Sequence, residues 1–503
     1  MTNILYDALI APHATNDAAF LVQDDGSVVT YAQFVQRTAQ IAQVVTAHGV
    51  SPGDRVLVQA PKLLDTLALY GAAVQAGAVY LPLNTGYTQT ELDYFITDAA
   101  PALIVCDARD EAMIAALPSA AGATVLTLAG DGTGSLSRAA DTQQSVFETV
   151  PRGPDDLAGL LYTSGTTGRS KGAMMSHRNL LSNATALVDL WQITKDDRLI
   201  HALPIFHTHG LFVAINTSFL AGAEVRFMER FDLEMILQEV PKSTLMMGVP
   251  TFYTRLLNDP RFNQDLTRNF RLFISGSAPL LADTHIAFQT RTGHQILERY
   301  GMTETNMITS NPYDGDRIAG TVGYALPGTE VAITDPDTGA PVPTGTIGMI
   351  EVCGENVFQG YWNLPDKTAQ ELRDSGYFIT GDLGVMSQDG RLSIVGRQKD
   401  LIISGGYNIY PKEIEDVINA VDGVLESAVY GVPHAEFGES VVAAVVLEPD
   451  SALTPQDLAA QIEPRLARFK HPRRYDMLDA LPRNTMGKVQ KNLLRAGQSA
   501  KRQ

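Results

Sequence analysis

Cysteine is nearly absent: the 503 residues contain two, Cys106 and Cys353, each inside an apolar, strand-like run. That excludes a disulfide-stapled scaffold, and a reducing cytoplasm is the expected setting. No cysteine, histidine or carboxylate spacing matches a metal-ligand motif. No apolar run reaches the roughly 20 residues that a membrane-spanning helix needs. Residues 1–9 have neither the cationic start nor the apolar core of a secretion signal. Positive charge is in deficit, with 38 Lys and Arg against 56 Asp and Glu, a formal charge of −18. Such a balance argues against general nucleic-acid binding or attachment to an anionic membrane. One region departs from it: residues 465–503 hold eleven Lys or Arg and only two acids, Asp476 and Asp479. Charge alone leaves two readings of that region, a site for anionic ligands or a solvated basic tail.

What is present is a long alternation of strands and helices. A chain of this length exceeds one core, so at least two domains are expected. Strand-like runs at 55–60, 78–83 and 102–106 alternate with helical patterns at 64–75 and 90–98, and a second series occupies 197–203, 223–228, 244–248 and 271–275. The pattern predicts an α/β fold of doubly wound sheets. Past residue 321, short strands and Pro/Gly turns predict an antiparallel, barrel-like piece. The Ala- and Gly-rich stretch 115–134 reads as a surface connection. A boundary is expected at 398/399. Beyond it, an amphipathic helix at 413–420, strands at 424–432 and 440–447, and a helix at 458–467 interrupted by Pro464 suit a compact α+β domain.

The densest chemistry lies in Tyr162-Thr163-Ser164-Gly165-Thr166-Thr167-Gly168-Arg169-Ser170-Lys171-Gly172. Short hydroxyls and unhindered backbone N–H groups suit polyphosphate oxygens, and Arg169 and Lys171 add charge. The spacing is not that of a Walker A loop. Further clusters follow in order: Glu298-Arg299-Tyr300-Gly301-Met302-Thr303-Glu304 after a strand predicted at 295–297; Tyr377 to Asp382; Gly396-Arg397-Gln398-Lys399-Asp400; Ser404-Gly405-Gly406; and Pro482 to Lys488.

Together, in this order, these motifs resemble the adenylate-forming superfamily of acyl-CoA synthetases, adenylation domains and luciferases, across essentially the whole chain. The resemblance implies a large N-terminal domain (1–398) of two doubly wound sheets plus a distorted β-barrel. A small mobile C-terminal domain (399–503) would turn on a hinge at Lys399. It implies ATP and Mg²⁺, with residues 162–172 holding the β- and γ-phosphates. Ser277, Ala278, Glu298 and Tyr300 would form the adenine side, Thr303 would meet the α-phosphate, and Glu304 with Thr163 the Mg²⁺. Asp382 and Arg397 would hold the ribose, and Lys488 would bridge the acid carboxylate and the α-phosphate. Ser170 departs from the family, where proline is usual.

The family's acid pocket maps to residues 207–209, Gly276, Arg299, Asn306 and Met307. A guanidinium is costly in an apolar slot unless an anion pairs with it, and arginine suits a carboxylate fork. Arg299, with His209 and a contribution from Arg255, is therefore expected to bind a second carboxylate on the substrate. An internal salt bridge of Arg299, to Glu298 for example, is the alternative. His207 would lie near the reacting carbonyl, and Thr208 and Met307 would limit a substituent at C2. Within the family, residues 201–210 and 298–307 look like malonyl-CoA synthetases, which implies a short dicarboxylic acid, malonate or methylmalonate. CoA is the expected acceptor, with Ser404, Gly405 and Gly406 lining the pantetheine tunnel and residues 468–474 reaching its phosphates. No nucleic acid, membrane or obligatory protein partner is implied. Competing readings are a monocarboxylate–CoA ligase, a stand-alone amino-acid adenylation enzyme, and a non-catalytic nucleotide binder.

Overall fold

The computed structural model describes residues 2–163, 170–405, 407–434, 436–484 and 487–500. Four sheets organise them. In the first, the strands Thr124–Thr127, Leu103–Cys106, Arg55–Gln59, Val79–Pro82 and Leu157–Thr163 run parallel, and Lys171–Ser176 closes one edge antiparallel. The second sheet has nine strands. Its parallel centre follows the order Leu297–Met302, Leu272–Ser275, Leu245–Gly248, Arg198–His201, Glu224–Phe227 and Ala19–Val22. Parallel strands buried on both faces read as continuous apolar runs, and Leu103–Cys106, Leu245–Gly248 and Leu272–Ser275 are buried at every position.

The helix Leu64–Gln75 shows the same logic: it is apolar nearly all round and buried from Asp65 to Gln75. Capping boxes start other helices cleanly, such as Ser176 with Asn179 at the head of His177–Trp191. One core cluster extends from Leu5 to Leu392, through both large sheets.

Three expectations are corrected. The stretch 115–134 is not mere surface connection, because Thr124–Thr127 forms an edge strand of the first sheet with Leu126 and Leu128 buried behind it. The strand predicted at 295–297 begins at Leu297 and runs through the motif to Met302, paired antiparallel with Asn306–Ser310. The barrel-like piece is a four-stranded antiparallel sheet, Thr329–Thr334, Gly348–Gly354, Phe378–Met386 and Leu392–Arg397, whose described strands run in linear order without closing.

The fourth sheet joins Tyr407–Ile409, Ile402–Ser404, Gly438–Leu447 and Val424–His434, with Arg474–Met477 parallel to Gly438–Leu447. Its two faces carry separate small cores, one under the helices Pro411–Asn419 and Pro455–Ile462, the other beside Leu481. Among the described residues, no helix is long and apolar enough to cross a membrane.

Candidate active site

The site gathers at the carboxyl ends of the parallel strands, where doubly wound sheets place ligands. Arg198–His201 feeds the loop bearing His207, Thr208 and His209; Leu272–Ser275 feeds Gly276 and Ser277; Leu297–Met302 carries Arg299 and Tyr300.

On one side the polar groups are paired. The Tyr300 hydroxyl donates to Asp382 Oδ2 at 2.6 Å, and Arg397 Nε stands 3.0 Å from Asp382 Oδ1. Burial, and then the charge of Asp382, drive the Tyr300 phenol far above its usual pKa. The Tyr361 hydroxyl lies 3.0 Å from Glu304 Oε1 and 2.7 Å from Glu371 Oε2. Lys171 Nζ stands 3.2 Å from Glu371 and 4.0 Å from the centre of the Tyr361 ring. Glu304 is buried, which raises its pKa. A desolvated carboxylate beside an anionic ligand suits a hard cation, and Mg²⁺ commonly takes one or two carboxylates together with substrate phosphates. Glu304 therefore fits that role. Thr163 and Lys171 face each other across the hairpin that bears the phosphate loop. Ser164, Gly165, Thr166, Thr167, Gly168 and Arg169 of that loop, and Gly406, lie outside the described residues.

On the other side, among the described residues, several polar atoms are buried without partners. Arg299 is 4% exposed, and neither its Nε nor its Nη2 has a hydrogen-bond partner. Burial lowers its pKa to about 9, a shift opposed only by Tyr253. The guanidinium lies flat against Gly276: a Cβ there would stand 2.3 Å from Arg299 Cζ, so any side chain would displace it. The salt bridge to Glu298 does not form. The Glu298 carboxyl faces His285 instead, at 3.6 Å. His209 Nδ1 is 3.2 Å from the Ser277 hydroxyl, which a left-handed backbone (φ 70°) presents. Its Nε2, the Thr208 hydroxyl and the Asn306 amide are buried and unpartnered. Met307 packs against Gly301, 2.8 Å from where a Cβ would be.

His207 accepts the His209 backbone N–H at its Nδ1, at 3.3 Å. Its surroundings, with Lys488 and Arg299 in electrostatic reach, depress its pKa to about 3, so the imidazole is neutral. Lys488 keeps solvent-exposed surface. Enclosure by the cleft walls still lowers its pKa to about 8; Arg397 adds to the depression, and Asp382 and Glu304 oppose it. Lys488 thus faces both sides of the site.

Not every expected residue joins. Arg255 projects from the outer face of the helix Pro250–Leu257, exposed, 5.5 Å from the Phe231 ring centre. The inward residues of that helix are Tyr253 and Leu256, and no local feature singles out Tyr253. Arg299, not Arg255, is its electrostatic neighbour. Thr303 is partly buried between Met302 and Glu304, and Ala278 follows Ser277 on the same loop. Lys399 is exposed in the 3₁₀ turn Gln398–Asp400, and Asp400 pairs with Arg495 at 3.0 Å. Ser404 is buried, and Gly405 adopts φ 58° beside Phe437. In the basic segment, Lys470 pairs with Glu413 and Arg474 with Asp476, so part of its charge is spent within the domain.

Mutually paired polar groups on one side, unpartnered ones on the other and a lysine in electrostatic reach of both fit an enzyme that activates a carboxylate with ATP. The chain matches the family described as AMP-binding enzyme over residues 10–362, and the AMP-binding enzyme C-terminal domain over residues 413–488. It belongs to that family. A feruloyl-CoA synthase of Amycolatopsis is 36% identical over 97% of this chain and 96% of its own. A malonate–CoA ligase of Mus musculus is 34% identical over 92% of this chain and 86% of its own. The ATP-bound structure of MatB from Rhodopseudomonas palustris superposes with a TM-score of 0.97 at 54% identity, over 99% of both chains; its apo structure gives 0.87. The reaction is AMP-forming ligation of an acid to CoA: ATP and the acid give an acyl-adenylate and pyrophosphate, and CoA then displaces AMP.

Proposed function

We propose that the acid is a short dicarboxylate, malonate first and methylmalonate next. The observation that carries this is the Arg299 guanidinium, buried with Nε and Nη2 unpartnered. An unpaired buried charge costs several kcal/mol, so the wall makes sense only if a ligand supplies the counter-charge. A distal carboxylate does so through a bidentate fork, with His209 Nε2 and the Thr208 hydroxyl beside it. Arg299 and Lys488 lie within electrostatic reach of each other, which favours a ligand whose two carboxylates are joined by a short spacer. The malonate–CoA ligase among the relatives supports the same reading.

In the first half-reaction, Lys488 holds the proximal carboxylate oxygen toward the α-phosphate and stabilises the charge that develops there. Thr303 contacts that phosphate. Lys171 exchanges Glu371 for a phosphate oxygen, and Tyr300, Asp382 and Arg397 hold the nucleoside. Glu304 with Thr163 would hold Mg²⁺, which would supply neutralisation of phosphate charge. His207, neutral at physiological pH, gates access to the reacting carbonyl and has no nucleophilic role. In the second half-reaction the domain 399–503 turns about Lys399, withdrawing Lys488 and bringing Ser404 and Gly405 toward the carbonyl. AMP release should be measured with ATP, CoA and, in turn, malonate, methylmalonate, succinate, acetate, propionate and benzoate. Malonate or methylmalonate should lead by at least about tenfold in kcat/KM, a modest demand for a site built around a polar group. Preference for propionate or benzoate would overturn the dicarboxylate reading.

A further inference from the structure

His207, Thr208 and His209 sit on one loop, residues 202–210, and its two ends are tied, directly or through His201, to a lysine of the first sheet. Lys62 follows the strand Arg55–Gln59 of the first sheet. Its ammonium donates to the carbonyls of His201 and Leu203, each at 2.9 Å, and of Met228 at 2.5 Å, and stands 2.8 Å from His201 Nδ1. Leu203 is the loop's entrance. With Nδ1 accepting from an ammonium that has only protons to give, His201 carries its own proton on Nε2. That nitrogen lies 2.8 Å from the carbonyl of Gly210, the loop's exit. The two ends also touch directly, because a Cβ on Gly210 would fall 2.1 Å from the Pro204 carbonyl oxygen. The loop is therefore closed at its base, where Gly210 meets Pro204 and where Lys62 and His201 join the two ends.

Three carbonyls and an imidazole nitrogen converge on an ammonium with three N–H groups, so at least one proton is shared between two of them. Enclosure lowers the lysine pKa well below its ordinary value, and Asp24 and Glu229 oppose that shift. An apolar strut would join the two sheets more cheaply, since burying an ammonium is expensive unless its hydrogen bonds are needed.

We propose that Lys62, relayed by His201, is a positioning residue for acid recognition: it sets the loop that presents His207, Thr208 and His209. This rests on the reading that those side chains line the acid site. A merely structural strut would affect every substrate alike, whereas a positioning residue acts on the acid.

The site also permits a repair experiment. Lys62→Ala leaves a slot ringed by three carbonyls and an imidazole nitrogen, and Lys62 lines a cavity of about 660 Å³ beside Pro204, Ile205 and Phe206. The missing atoms match n-propylammonium. AMP release by Lys62→Ala should be measured with acid and ATP varied separately, with and without n-propylammonium. The expected result is about a 10²-fold loss in kcat/KM for malonate, the scale of a 1 Å misplacement. KM for ATP should stay within about twofold, and the amine should recover at least about tenfold of the loss. Tetramethylammonium, which has no N–H, should recover nothing. Equal losses for acid and ATP, an unchanged acid KM, or no rescue by the primary amine would overturn the proposal. Should Lys62→Ala fail to fold, His201→Gln keeps the carbonyl contacts of Lys62 and alters the link to Gly210. It should raise the malonate KM selectively without amine rescue, and an unaltered acid KM would count against the relay. If the wild type prefers another acid but shows the same selective loss and rescue, the Lys62 assignment stands and only malonate falls.

Discussion

The nucleotide side and the acid wall share one cleft, yet they meet their ligands in opposite conditions. Asp382 is held by Tyr300 and Arg397, and Glu304, Glu371, Tyr361 and Lys171 satisfy one another. Arg299, His209, Thr208 and Asn306 bury polar atoms that nothing among the described residues satisfies. On the proposed reading, ATP, a ligand common to the family, arrives by exchanging partners, and the acid by supplying one that was missing, so discrimination belongs to the wall.

The comparison breaks most readily at Arg299. Arg299→Ala should lower kcat/KM for malonate by about 10³-fold, the order of losing one partner of a buried charged pair, while propionate changes less than about tenfold. Next in size is Lys488→Ala, which belongs to both sides. Adenylation of every acid should fall by about 10²–10³, read as AMP formation. Gly276→Ala tests the wall without touching its charge: the new Cβ displaces the guanidinium, and malonate kcat/KM should drop by about 10² with KM for ATP unchanged.

A smaller effect lies in pH. Lys488 has a depressed value of about 8, so its cation is present below that value and lost above it, while the Arg299 guanidinium keeps its proton throughout. The kcat/KM for malonate should fall as pH rises through about 8. Lys488→Arg should remove that step. A bound anion raises the lysine value, so kcat itself should turn down at higher pH than kcat/KM. The smallest effect concerns stability. Arg299→Met removes an unpaired buried charge, so the ligand-free protein should melt about 2 °C higher while losing malonate turnover.

Why some of this was legible in the sequence and some was not follows from the range of each interaction. The phosphate loop and the run from Arg299 to Glu304 are local in sequence, and their residue types announce their chemistry. Arg299 stood out because a guanidinium in an apolar pocket has few explanations. The partnership of Lys171 with Glu371 spans 200 residues and that of Lys62 with His201 spans 139, so neither leaves a local trace. Arg255 misled because it is two residues from Tyr253 on one helix, which is about 200° of rotation and places it on the opposite face. The edge strand Thr124–Thr127 hid in alanine- and glycine-rich flanks that resemble a loop.

The central claim is that Arg299 reads the charge of the acid's far end, and a charge-deletion cycle tests it most directly. Pyrophosphate exchange should be measured for the wild type and Arg299→Ala with malonate and with monomethyl malonate, which keeps the carbon frame but removes the distal charge. The wild type should prefer malonate by about 10²–10³, and the variant should treat the two acids nearly alike, a coupling of roughly 3–4 kcal/mol. The same preference in both proteins would contradict the account.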